Sequence, residues 1–170
     1  MHRLRWLRIL IGCLLSKKPK DPRAPVTCTF WITPLDVEFA SAYSHTFFSF
    51  QALGRWKHII YNFPVKQFIR EMWSPYAYAE IIRFQRAIKL FSKVDVVTTL
   101  FYWDDKMVYY EHRIIVKGEL ASRGFSRGAM WSKQGRINPH DFVNVGPYKG
   151  DIPEVVVNWC KTDDAINEKI

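Results

Sequence analysis

Cysteine is scarce. There are three, Cys13, Cys28 and Cys160, odd in number and widely spaced. That excludes a disulfide framework and a cysteine-built zinc site, and it makes a reducing compartment the simpler expectation. The five histidines (His2, His45, His58, His112 and His140) show no metal-ligand spacing such as HExxH, so no metal is expected. Acid is nearly missing from the first 23 residues, where seven basic side chains meet only Asp21. That stretch carries +6 of the net +9, so the remaining 147 residues are close to neutral. A basic nucleic-acid-binding face across the whole chain is not implied, and no nucleic-acid partner is expected. Long apolar runs are absent too. Leu4–Leu15 is interrupted by Arg5 and Arg8, and its longest uncharged run, Ile9–Leu15, is far below the roughly 20 residues that span a bilayer. No A-x-A-like cleavage site follows it.

What is present suits one domain. The chain has 170 residues, 48% of them hydrophobic and 16% aromatic, enough for a core and favourable for strands. The N-terminal stretch reads as an amphipathic helix, and two roles stay open. In one, residues 1–20 lie on an anionic membrane surface, with Leu4, Leu7, Ile11, Leu14 and Leu15 toward lipid and the arginines toward head groups. In the other, the helix packs on the domain or on a partner subunit. Three prolines between Pro19 and Pro25 then mark an extended linker. Residues 1–25 thus form a helix and linker, 26–145 a domain, and 146–170 an extension.

Within the domain, Val26–Thr33 reads as a strand and Leu35–Ser44 as irregular. A helix is predicted from His45 to Asn62, with Ser44 as an N-cap. Phe47, Phe50, Leu53, Trp56, Ile60 and Phe63 recur every three or four residues and give it one apolar stripe. Gly54 costs this helix about 1 kcal/mol relative to alanine, which points to close packing on a sheet. Residues 65–75 read as a connection with room for one helical turn. Strands follow at Tyr78–Gln85, Val94–Trp103, Lys106–Val116 and Glu119–Trp131, with tight turns at Asp104-Asp105 and Lys117-Gly118. Pro153–Cys160 suits a strand or a helix start, and 161–170 reads as a frayed polar end. One long helix followed by consecutive antiparallel strands is an α+β pattern.

Several segments in this order resemble the hotdog-fold acyl-CoA thioesterases related to 4-hydroxybenzoyl-CoA thioesterase. They are the segment Tyr78–Phe91, the turn Trp103-Asp-Asp-Lys106, the strand Tyr110-Glu-His-Arg113, and Gly118-Glu-Leu-Ala-Ser-Arg-Gly124. Phe50-Gln-Ala-Leu-Gly-Arg-Trp56 is similar to the family's helix. The basic, apolar N-terminus resembles that of one bacterial branch. The resemblance implies an antiparallel sheet wrapped around one long central helix. It also implies a homodimer, or a dimer of dimers, with an acyl-CoA substrate at the subunit boundary. Coenzyme A enters as part of the substrate, with no other cofactor.

The chain departs from the family where the chemistry is expected. The pattern D-x-D-x-x-x-H-M/V-N-N becomes Pro34-Leu-Asp-Val-Glu-Phe-Ala-Ser-Ala-Tyr-Ser-His45. Similarity of Leu35–Phe39 to the family's L-D-L-N-L puts Asp36 on the catalytic aspartate; the other register puts Glu38 there. Either leaves a one-residue mismatch to Gly54-Arg55. Tyr43, Ser44 and His45 stand near the family's H-M-N-N and are the substrate-binding candidates. Chemically, a carboxylate ahead of a helix serves as general base or nucleophile, and the helix N-terminus offers N–H groups to an oxyanion. The plainer readings are a turn cap for Asp36, a solvated loop acid for Glu38 and helix capping for the other three. Trp103–Lys106 reads as hairpin chemistry with an aromatic anchor. Arg83, Arg86 and Arg123 are candidates for coenzyme A phosphates or for plain surface solvation. Glu111 and His112 are adjacent on a strand and point to opposite faces. The expected function is acyl-CoA thioester hydrolysis in fatty acid metabolism. The alternative is a catalytically impaired protein that binds acyl groups or a partner at a membrane. The expected location is cytoplasmic, peripheral to the inner face of a membrane.

Overall fold

The computed structural model describes residues 2–15, 21, 23–62, 65–143 and 147–167. Five strands form a curled antiparallel sheet in the order β1-β5-β6-β7-β4: β1 (Val26–Trp31), β4 (Ser74–Phe84), β5 (Lys93–Trp103), β6 (Val108–Val116) and β7 (Glu119–Ser132). A short β8 (Gly135–Ile137) folds back on the end of β7. Helix α2 (Ser44–Asn62) lies along the concave face. The protein is therefore α+β, with the sheet wrapped around one long helix.

The period-two pattern explains the strands. Along β5, Val94, Val96, Thr98 and Leu100 alternate inward and are fully buried. Val94 and Val96 share one apolar cluster with Phe47, Phe50, Leu53 and Ile60 from the predicted stripe of α2, and Leu100 packs in a second cluster with Ile59; Trp56 is half-buried, and Phe63 lies outside the described residues. Phe30 of the neighbouring β1 stacks on Phe50 at 5.3 Å. Gly54 sits where helix and sheet come closest, and a Cβ there would run into the Thr98 side chain. The interior is not wholly apolar. His112 is buried with Nδ1 at 3.0 Å from Thr98 Oγ1 and Nε2 at 2.8 Å from Ser126 Oγ. Burial, then the nearby Arg55 and His58, hold its pKa well below the ordinary histidine value. Its neighbour Glu111 points outward to Arg113 and Arg123, as the strand geometry requires. Asp104 Oδ1 accepts the N–H groups of Lys106 and Met107 at 2.7 and 2.8 Å, and Trp103 is buried beside it, so this segment is hairpin chemistry with an aromatic anchor.

Four segments differ from the sequence reading. The supposedly irregular loop is ordered into a 3-10 turn (Pro34–Asp36) and a two-residue hairpin, β2 (Val37–Glu38) with β3 (Ser41–Ala42). Backbone hydrogen bonds from Ala42 to Ile88 and from Leu90 to Ala40 tie this hairpin down, a long-range effect that no local pattern carries. The helical turn allowed within 65–75 is a longer helix of six residues, α3 (Val65–Arg70). β4 begins at Ser74, ahead of Tyr78; Pro75 is tolerated because β4 is an edge strand. After a short α4 (Pro139–Val143), the helical alternative for Pro153–Cys160 holds as α5 (Glu154–Asn167), which continues over 161–167 of the stretch read as frayed. Val156 and Trp159 bury it against the convex face at Tyr109, and Asp163 pairs with Arg127.

The N-terminal helix α1 (His2–Leu15) packs on α2. Ile9 and Cys13 are buried, and Trp6 meets Trp56 edge to face at 6.1 Å. Leu4, Leu7 and Ile11 point outward, as the amphipathic reading expects; the side chains of Leu14 and Leu15, and linker residues 16–20 and 22, lie outside the described residues. The arginines do not all face out, because Arg5 turns into the domain. No helix among the described residues is long and apolar enough to cross a membrane.

Gly54→Ala separates helix propensity from packing. Propensity alone predicts a gain of about 1 kcal/mol. The collision with Thr98 predicts a net loss of about 1–3 kcal/mol, read as a lower urea midpoint with an unchanged slope.

Candidate functional site

The site is built where β1 hands over to α2. Thr33 precedes the 3-10 turn, and the Asp36 N–H returns to its carbonyl at 2.9 Å. The Asp36 carbonyl accepts the Tyr43 N–H at 3.1 Å and the Thr46 hydroxyl at 3.0 Å. The backbone of Asp36 is therefore fastened to the first turn of α2. Thr46 donates its own N–H to Tyr43, so Ser44 and His45 open the helix with N–H groups that precede any intrahelical acceptor.

The Asp36 side chain is 8% exposed and accepts hydrogen bonds at both carboxylate oxygens. Arg5 grips it with both arms, Nη1 to Oδ1 at 2.7 Å and Nη2 to Oδ2 at 2.6 Å. Thr33 adds its N–H at 2.9 Å and its hydroxyl at 2.6 Å, both to Oδ2. The guanidinium lies 5.6 and 5.3 Å from the Phe30 and Phe50 ring centres and also donates to the Trp31 carbonyl at 2.9 Å. Burial alone raises the pKa of Asp36. The hydrogen bonds from Arg5 and then Thr33, with the Arg5 charge, outweigh it and hold the group at about 2.

The other candidates spread out from this point. Glu38 is exposed on β2. Tyr43 is half-buried and stacks on the exposed His45 at 4.8 Å, and Ser44 is exposed. Asp36, Tyr43, Ser44 and His45 are thus gathered at one helix end, with Glu38 on the flank. Phe39, at the hairpin tip, is 98% exposed and sits at φ 56°, a backbone region that side chains other than glycine rarely occupy. Arg86 pairs with Glu119, Arg123 pairs with Glu111, and Arg83 is exposed on β4. No group of His, Cys, Asp and Glu among the described residues is arranged to hold a metal ion.

The sequence reading missed Arg5. Of the two roles left open for residues 1–20, one turned the arginines toward head groups and the other packed the helix on the domain without singling out Arg5, and nothing local links residues 5 and 36. Thr33 did leave a signal: Thr-x-x-Asp is the spacing of a capping box.

Residues 33–160 match the family model of the thioesterase-like superfamily. Protein THEM6 of Drosophila melanogaster is 37% identical over 97 residues, covering 54% of this chain and 48% of that protein. The chain spans about half the length of the curated relatives it matches. Among solved structures, DHNA-CoA thioesterase from Staphylococcus aureus superposes with a TM-score of 0.60 at 14% identity, over 86% of this chain and 95% of that one. A second S. aureus protein, characterised in complex with CoA, gives 0.63 at 12% identity, over 78% and 91%. At such identities the likeness is one of fold, the hotdog fold. The basic N-terminus had suggested a bacterial branch, whereas the two curated relatives come from fly and frog.

The depressed pKa of Asp36 has a thermodynamic signature. Its folded value near 2 lies below the ordinary 3.8, so the stabilisation is complete above pH 4 and fades as pH falls toward 2. Urea unfolding at pH 7 is expected to show Asp36→Asn weakened by on the order of 2 kcal/mol, with the gap to wild type closing as the pH is lowered from 4 to 2.

Proposed function

Since the chain belongs to the thioesterase-like superfamily, we propose that it hydrolyses acyl-CoA thioesters, with Asp36 as the reacting carboxylate and the N-terminus of α2 as the oxyanion site. The observation that carries this reading is the position of Asp36: a buried, ionised carboxylate tied by its own backbone to the open end of α2. Asp36 takes a proton from water as the oxygen attacks the thioester carbonyl carbon. Negative charge gathers on the carbonyl oxygen, where the N–H groups of Ser44 and His45 and the helix dipole stabilise it. The C–S bond then breaks, the thiolate leaves with the proton held by Asp36, and the acyl group departs as a carboxylic acid. Tyr43, stacked on His45, forms a wall for the substrate. Glu38 is the second-choice carboxylate.

The reading includes a homodimer, or a dimer of dimers. β4 is an open edge strand, and Tyr76, Tyr78, Ile81 and Phe84 along it are exposed. Such an edge invites pairing with another copy. Phe39 and Phe48 are exposed near the start of α2, and a partner's β4 would cover them beside the site.

A second reading has its own support. Arg5 and Thr33 already donate to both oxygens of Asp36, and α1 presents Leu4, Leu7 and Ile11 outward on a strongly basic segment. Between α1, α2 and α3 lies an apolar cavity of about 160 Å³ lined by Trp6, Leu10, Trp56, Ile60 and Phe68. These features suit a protein that binds acyl groups or a partner at an anionic membrane surface, peripheral to its cytoplasmic face.

Hydrolysis of short, medium and long acyl-CoAs separates the two. Turnover that Asp36→Asn lowers by about 10²–10⁴-fold supports the enzyme. No turnover by the folded protein on any chain length supports the binding role. In light scattering, wild type is expected as a dimer or tetramer, and Ile81→Lys, which places a charge on the open edge, as a smaller species with reduced turnover.

A further inference from the structure

We propose that Arg5 is a positioning residue for Asp36, so that the reacting carboxylate is assembled from two elements: the hotdog domain and the N-terminal helix docked on it. The inference rests on the reading of Asp36 as that carboxylate. It goes beyond it, because α1 lies outside the matched stretch, which begins at Thr33.

The geometry is that of a built contact. Two parallel N–H···O bonds of 2.7 and 2.6 Å fix the plane of the carboxylate. The guanidinium is itself fixed by Phe30, Phe50 and the Trp31 carbonyl, and both side chains are largely buried. Ile9, Cys13 and the Trp6–Trp56 contact seat the helix that delivers it. A buried carboxylate without a counter-charge protonates, and burial is the largest single influence on Asp36. Among the described residues around it, Arg5 from α1 is the charge that reaches the carboxylate. β1 and α2 contribute the uncharged Phe30 and Phe50, Thr33 is neutral, Glu38 is exposed on β2, and His45 faces Tyr43. Oδ2 accepts three of the four bonds and Oδ1 one, so Oδ1 keeps a lone pair to meet water or the thioester.

The test uses the full chain. Wild type, Arg5→Gln, Arg5→Lys and Asp36→Asn are compared in two readouts: the Asp36 carboxyl titration by carbon-13 NMR, and the pH dependence of kcat for an acyl-CoA. In wild type, Asp36 is expected to stay ionised down to about pH 4, with no acid limb of kcat from this group above that. In Arg5→Gln the carboxyl midpoint is expected to rise above 4, and the acid limb of kcat to move with it. Arg5→Lys keeps the charge and loses the fork. It should hold the midpoint low, with kcat lowered about tenfold and KM little changed. This variant decides the matter if Arg5→Gln does not fold. A carboxyl midpoint that stays put in Arg5→Gln, or a kcat unchanged in Arg5→Lys, overturns the proposal. If Asp36→Asn keeps full turnover while the midpoint still moves in Arg5→Gln, the catalytic reading of Asp36 has failed and Arg5 is a structural tie only.

Discussion

The seat of α2 in the curled sheet is the constraint from which the rest follows. Gly54 lets the helix approach until Thr98 fills the space a side chain would need. That approach fixes the direction of α2, and so the place where its open N-terminus emerges. The Asp36 carbonyl is tied to Tyr43 and Thr46 at that end, so the loop is positioned by the same packing. α1 then leans on the opposite flank of α2 and brings Arg5 to the carboxylate. One helix thus orients its own open N-terminus, the Asp36 carboxylate and the Arg5 guanidinium that holds that carboxylate ionised.

Much of the fold was legible because its signals are periodic. Val94, Val96, Thr98 and Leu100 alternate, and the α2 stripe repeats every three or four residues, so residue spacing alone reveals both. Gly54 was legible for a different reason, since a glycine inside an otherwise good helix needs a compensating contact. What was lost is non-local. The β2–β3 hairpin depends on hydrogen bonds to residues 88 and 90, and α5 depends on the convex face offering Tyr109 to Trp159. Neither partner lies within a local window. The candidate site was half legible: the order of residues from Asp36 to His45 pointed to one helix end, but the arginine paired with Asp36 lies 31 residues upstream, in a segment that left a membrane surface and the domain itself both open as its partner.

The interior shows the same division of labour. His112 bridges Thr98 and Ser126 beneath α2, kept neutral by burial, and holds three strands together without facing the site. The outer face of α1 is spare: Leu4, Leu7 and Ile11 are not needed for the domain's own packing, whereas Ile9 and Cys13 are. A helix with one face on α2 and one face free can serve the acid through Arg5 and still meet a surface outside.

The most direct measurement is an experimental structure of the protein bound to a non-hydrolysable acyl-CoA thioether ketone. The account predicts the carbonyl oxygen within hydrogen-bond reach of the Ser44 and His45 N–H groups, Asp36 beside the carbonyl carbon or its attacking water, and Arg5 still paired to Asp36. An acyl chain lodged between α1, α2 and α3, with its carbonyl far from Asp36, would contradict it.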